Sequence, residues 1–323
     1  MIVTNSKLKS YLACQRSYWY KYDRLLVPKL TAQPFKRGTW LHELLESHYN
    51  GYGWKKRHAE LTEEFNRLFD EEKEYYGDLP DFCNRVMASY VFHWKKEDAT
   101  LKYIAAEDEC EVPLPGPGNH TFRLKFDMIV EDEYGRWLFE NKSHNTIPGA
   151  DYRFLDTQSN LYVWALNELG TYGEIVGICW NYLRAKAPTI PKLLKSGTAL
   201  SKAKIDTDAL TMVRAIKEYG LDLDDYRDVI SRLQHGTSTY FRRERVPAAP
   251  KVVETLVAEA AYTAGQMERG YEPVRTISRS CEYCSYKDLC VVDLYGGNSK
   301  QMIKLKYKPA DKKEYYGFDT ITP

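Results

Sequence analysis

The stretch from 121 to 183 constrains the fold most. Residues 121–131 and 136–142 read as strands around the turn 132–135, 156–169 reads as a helix stopped by Gly170, and 174–183 reads as a strand again. A hairpin that feeds a strand–helix–strand crossover demands a sheet with both antiparallel and parallel pairs. The crossover helix should pack on one face in the right-handed sense. Phe126, Met128, Ile129, Leu138 and Phe139 make both hairpin strands largely apolar, as expected for a sheet covered on both sides. The expectation is an α/β fold with a mixed central sheet flanked by helices.

Outside this stretch the chain reads mostly helical. Residues 5–22 form a short helix rich in Tyr and Trp, a second starts near Gly38, and 59–98 carries the apolar stripe Leu61, Phe65, Leu68 and Phe69. Residues 208–233 and 248–268 are helical too. Between 184 and 204 lie Arg184, Lys186, Lys192, Lys195, Lys202 and Lys204 with no acidic residue, interrupted by prolines and a glycine. This segment reads as a basic, mobile loop. No internal repeat is present, and 323 residues with 43% apolar content suffice for one sizeable core. The expected organisation is a single domain, 1–323: N-terminal helices (1–50), helical insertion (51–105), core (106–183), basic loop and helices (184–247), helix and cysteines (248–294), and tail (295–323).

Charge narrows the partners. With 46 Lys and Arg against 45 Asp and Glu, net charge is +1, so a polyanion must be held by a local patch rather than by the whole field. The basic loop is the candidate patch, through Lys192, Lys195, Lys202 and Lys204. A solvated loop is the alternative, with Arg242, Arg243 and the Lys-rich tail after Lys300 then holding the polyanion. No uninterrupted apolar run reaches the roughly 18 residues of a membrane span. The opening residues lack the apolar core of a secretory signal, so the seven cysteines are expected in a reducing, cytoplasmic compartment where disulfides are a poor explanation for them.

If the hairpin turn is centred between Glu133 and Tyr134, Asp127 and Glu140 lie directly opposite, with Cβ atoms about 4.5–5.5 Å apart. Lys142 projects from the same face, because the strand period is two. Two carboxylates so close raise a pKa or need a cation between them, and hard oxygen ligands suit magnesium or manganese. Such an ion could activate water against a phosphodiester, with Lys142 orienting it. The alternative is a surface hairpin with a solvated Glu and Lys. Gln158 and Tyr162, four apart, share one face of the following helix, as a site pair or as core. His42 lies on a helix beside Leu41, Leu44 and Leu45, as a ligand or as a structural histidine.

Cys281, Cys284 and Cys290 form C-x2-C-x5-C, and Cys14 lies in an aromatic-rich segment 267 residues upstream. Soft thiolates at this density select zinc or an iron–sulfur cluster and need a fourth ligand. Cys14 is the best candidate. Cys83, Cys110 and Cys179 read as buried free thiols. A metal joining Cys14 to Cys281 would staple the two ends of the chain.

In order, these islands are Cys14 in YLACQRSYWYKY, Gly38-x-x-x-His42, Asp127, Glu140-x-Lys142, Gln158-x-x-x-Tyr162 and the three late cysteines. Together they resemble the PD-(D/E)xK nuclease superfamily and, within it, the RecB-like exonucleases that carry a [4Fe-4S] cluster. Relatives of that kind are the CRISPR-associated RecB-like exonuclease, the AddB nuclease domain and phage exonucleases. The resemblance implies a restriction-endonuclease-like fold with a helical insertion and a cluster, zinc being the runner-up, tying the N- and C-terminal parts. It implies a Mg2+- or Mn2+-dependent DNA exonuclease, prokaryotic or phage-encoded and intracellular, acting on single-stranded or frayed ends. His42, Asp127, Glu140 and the main-chain carbonyl of Asn141 would hold the metal, Lys142 would be catalytic, and Gln158 and Tyr162 would position substrate and site. No G-x-x-x-x-G-K-[ST] occurs, so a helicase, or an integrase complex, would be a separate partner. Leu124 stands where the family often has glycine, and the insertion at 59–98 has no role in the resemblance. The competing classes are a catalytically silent DNA-end-binding module and a zinc-stapled protein-interaction domain.

Overall fold

The computed structural model of the chain describes residues 1–147, 149, 153–202, 205–235, 239–270 and 272–310. The N-terminal part contains β1 (Ile2–Val3), α1 (Asn5–Ala13), α2 (Gln15–Tyr18), a π-helical turn over Trp19–Asp23, β2 (Leu26–Pro28) and α3 (Gln33–Tyr49). The helix expected over 5–22 is therefore interrupted. Cys14 adopts an extended backbone, φ −167° and ψ 108°, and separates α1 from α2. The insertion is α4 (Trp54–Asn66), α5 (Asp70–Tyr76) and α6 (Leu79–Asp98).

Strands β3 (Lys102–Ala106), β4 (Glu109–Pro113), β5 (Thr121–Lys125), β6 (Met128–Asp132) and β7 (Gly135–His144) follow, then α7 (Thr157–Leu169) and β8 (Ile175–Arg184). The remainder is α8 (Ala209–Glu218), α9 (Arg227–His235), β9 (Phe241–Pro247), α10 (Pro250–Glu268), α11 (Lys287–Leu294), α12 (Ser299–Lys306) and β10 (Tyr307–Pro309). Among the described residues the central sheet has five strands in the order β3-β6-β7-β8-β9. The β6–β7 hairpin pairs Met128 with Phe139 and Asp132 with Gly135, the register set by a turn centred between Glu133 and Tyr134. β7 and β8 run parallel, joined by α7 as the crossover, and the other neighbours are antiparallel. This is a mixed α/β sheet.

Two further sequence expectations need correction. The strand read over 121–131 is two strands, because the chain leaves a small sheet (β1-β5-β4) at Phe126 and enters the central one at Met128. Leu124 is fully buried in that small sheet. The segment 184–247 also supplies β9, whose sequence FRRERVP shows no apolar alternation.

Helices cover both faces. On the front, Ile129, Leu138 and Ile178 pack with Leu161, Ala165 and Leu166 of α7 and with Val257, Ala260 and Ala264 of α10. On the back, Met128, Val130, Phe139 and Cys179 form a second apolar layer, against which Tyr49 of α3 packs. Each fully buried Leu or Phe contributes roughly 1.5–3 kcal/mol. A third cluster joins the chain ends: Tyr20, Leu26, Tyr286, Leu289 and Tyr307 are buried together, and β2 pairs antiparallel with β10.

Candidate active site at the end of the hairpin

The break between β5 and β6 places Asp127 beside β7, where the Asn141 N–H donates to its Oδ2 at 2.7 Å. Glu140, only 3% exposed, is gripped twice, by Lys142 Nζ at 2.6 Å and by Gln158 Nε2 at 2.8 Å on the same Oε1. Lys142 also reaches Gln158 Oε1 at 3.4 Å and lies 5.8 Å from the centre of the Trp180 ring. Gln158 can do this because α7 starts one residue earlier, capped by Asp156, whose carboxylate accepts the Ser159 N–H at 2.9 Å. Tyr162, one turn on, is buried on the same face. From α3, His42 places Nδ1 3.7 Å from Asp127 Oδ1. Gly38 of α3 faces β7, where a Cβ would lie 3.4 Å from Ser143 Oγ, an ordinary contact distance. The structure thus brings His42, Asp127, Glu140, Asn141, Lys142, Gln158 and Tyr162 into one neighbourhood.

The charges are coupled. Burial pushes the Glu140 carboxyl upward and the nearby Asp127 charge adds to this, against Lys142. Burial opposes ionisation of Asp127 as well, yet His42, Lys142 and the Asn141 N–H together hold it below the ordinary carboxylate range. Burial would lower Lys142 and His42, but Glu140 keeps the lysine, and Asp127 the imidazole, above their usual values. One buried and one half-buried carboxylate, an imidazole and a main-chain carbonyl are a donor set suited to a hard divalent cation. Among the described residues no group of three or more His, Cys, Asp or Glu side chains is already drawn together as a metal cage.

Several lining residues escape a sequence reading. Glu107 donates its N–H to the Asp127 carbonyl at 3.0 Å, binds Lys125 at 2.6 Å and has a positive φ of 52°. Burial and the Asp127 charge push its carboxyl up to about 7. Nothing local in the sequence marks it, because its place depends on where β3 ends. Glu46 is legible in principle, lying four residues after His42 on the same helix. Trp180 is legible too, since the parallel register sets it opposite Glu140.

All seven cysteines are free thiols. Cys83 and Cys179 are fully buried free thiols, the latter pushed by burial up to about 12, and Cys110 is half-buried near Tyr172. Cys14, Cys281, Cys284 and Cys290 are half-buried and free. The Arg16 N–H donates to Val274 O at 3.0 Å, Cys284 Sγ lies 4.0 Å from Ser17 Oγ, and Arg275 Nε donates to Cys290 Sγ at 3.3 Å. These contacts add to the aromatic cluster and the β2–β10 pair in joining the N- and C-terminal segments. Among the described residues these four thiols do not form a group that could hold a metal ion.

The basic loop is less open than its sequence suggests. Asp206, just beyond it, pairs with Arg184 and Lys186. Leu200 is buried, and its N–H donates to Tyr226 at 2.8 Å, anchoring the loop on α8 and α9. Lys192 and Lys195 are exposed, Lys202 is exposed with its ammonium 5.2 Å from the Tyr226 ring, and Lys204 lies outside the described residues. Arg243 cannot be the alternative polyanion contact: its side chain is 2% exposed and paired with Asp98.

The sequence profile of the PD-(D/E)XK nuclease superfamily matches residues 3–291. The chain belongs to the PD-(D/E)XK nuclease superfamily. The matched span includes the residues gathered at the hairpin and all four cysteines of the N- and C-terminal segments. No curated protein matches the chain. Among solved structures, the crystal structure of SSO0001 is similar at 11% identity, covering 90% of this chain and 85% of that one with a TM-score of 0.32, too slight a likeness to carry an argument. No helix among the described residues is long and apolar enough to cross a membrane.

Proposed function

We propose that this superfamily member is a Mg2+- or Mn2+-dependent DNA exonuclease acting on single-stranded or frayed ends. The observation that carries the reading is Glu140, buried beside Asp127 and held by both Lys142 and Gln158. A divalent cation bound by Asp127, Glu140, His42 and the Asn141 carbonyl would supply positive charge against the phosphoryl oxygens and lower the pKa of an attacking water. Gln158 fixes the orientation of Glu140. Lys142, kept charged by the two carboxylates, is placed to hold that water or to balance charge developing on the phosphate. Tyr162, its hydroxyl pushed upward by burial and by Glu140, stays protonated and closes the inner wall. Lys192, Lys195, Lys202 and Lys204 would grip the phosphate backbone. The test is cleavage of end-labelled single- and double-stranded DNA with either metal, wild type against Glu140→Gln. Full activity in the variant overturns the assignment.

The same reading gives Cys14, Cys281, Cys284 and Cys290 a structural [4Fe-4S] cluster. Protein purified without oxygen should be brown and contain iron. Cys14→Ser should lose both iron and thermal stability, because metal binding free energy contributes to folding. A colourless wild type with stoichiometric zinc would replace the cluster by the runner-up metal.

A further inference from the structure

Behind the proposed metal site, a buried hydrogen-bonded chain runs from the helical insertion to Asp127. Arg243 of β9 has a 2% exposed side chain, with its guanidinium 4.1 Å from the Trp94 ring centre and 4.9 Å from that of Phe139. It pairs with Asp98 at 2.7 Å and donates to the Tyr49 and Tyr90 hydroxyls at 2.8 and 2.9 Å. Its Nε donates to Asn181 Oδ1 at 3.3 Å. Arginine can only donate, so this bond fixes which way the Asn181 amide points. Asn181 Nδ2 then donates to Tyr90 Oη and to Asn141 Oδ1, each at 2.7 Å. Asn141 stands between Glu140 and Lys142, with its side chain on the back of the sheet and its N–H on Asp127.

We propose that Asn181, held by Arg243 and Tyr90, is a positioning residue for the metal site, acting through Asn141 on the peptide planes that carry the carbonyl ligand and the Asp127 bond. This assigns the insertion a role: α6 delivers Tyr90 and Asp98, which set the far end of the chain. The inference builds on the metal-site reading above. Outer residues that orient ligands typically change metal affinity by about 10–100-fold. Arg245 supplies the control. It joins the same insertion to the sheet, through Glu97 at 3.6 Å and Asp132 at 2.8 Å, without touching Asn181 or Asn141 in any hydrogen bond among the described residues.

The experiment is Mn2+ titration of the whole protein by calorimetry and electron paramagnetic resonance, paired with thermal unfolding. Asn181→Ala should weaken Mn2+ binding at least about tenfold. Asn181→Asp preserves shape and the Arg243 contact but cannot donate to Asn141, and should weaken it similarly even if the alanine variant folds poorly. Arg245→Ala should lower the unfolding temperature and leave Mn2+ affinity unchanged. Wild-type affinity in Asn181→Asp, or an equal loss in Arg245→Ala, overturns the positioning role. A wild type whose Mn2+ binding does not depend on Glu140 overturns the metal-site reading, and this inference with it.

Discussion

The two faces of β7, β8 and β9 both bury charge and treat it in opposite ways. On the back, Asn141, Asn181 and Arg243 line up across the three strands, and one cation is surrounded by Asp98, Glu97, two tyrosine hydroxyls and an amide. On the front, one residue out of register with that row, Glu140, Trp180 and Glu244 line up instead, and Glu140 keeps its carboxylate beside a second acid. Because a strand sends alternate side chains to opposite faces, three strands carry a scaffold and a site at once. The back is a network of hydrogen bonds and ion pairs centred on Arg243, which rigidifies. The front keeps a carboxylate against the cost of burial, with Lys142 bonded to it and Asp127 nearby.

If that contrast holds, front and back substitutions should fail by different readouts. The largest effect is expected from Glu140→Gln: cleavage falls by about 10³-fold or more, while the unfolding temperature stays level or rises, because burial opposes the carboxylate's charge and the replacement is a neutral isostere. Next is Arg243→Ala on the back, which leaves Asp98 buried without its cation and should cost about 3–5 kcal/mol of stability in denaturant unfolding. A stable Arg243→Ala, or a Glu140→Gln that unfolds, would erase the distinction between the faces.

Much of the front was legible in sequence and almost none of the back. Turn chemistry at 132–135 set the hairpin register, and register carried Asp127, Glu140 and Lys142 into place. Helical spacing then added Gln158 and Tyr162. The back was hidden because β9 reads FRRERVP, and a buried arginine looks like a surface one until Tyr49, Tyr90 and Asp98 arrive from helices far away in the chain. The switch between sheets was hidden for a different reason. Phe122, Leu124, Phe126 and Met128 keep a period of two straight through it, so hydrophobic pattern continues where the pairing partners change. Likewise Asp206 lies just past the basic loop, and only the fold reveals that it neutralises Arg184 and Lys186.

The smallest effect extends the contrast to cations outside the sheet. Arg243 is enclosed and committed, whereas Lys192, Lys195 and Lys202 are exposed at the surface, where a phosphate backbone can reach them. Contacts with phosphates release counterions, so each one steepens the fall of affinity with salt by about 0.7 in log–log slope for a single strand. Neutralising Lys192, Lys195, Lys202 and Lys204 together should flatten that slope by up to about 3 and weaken unrelated DNA sequences alike, since phosphate contacts carry no sequence information. Cleavage at saturating DNA should persist, because none of the three described lysines shares a hydrogen bond with Glu140, Lys142 or Gln158. The binding titration against salt decides it. With Arg243 buried, an unchanged slope would move DNA holding to the lysines of α12, Lys300, Lys304 and Lys306.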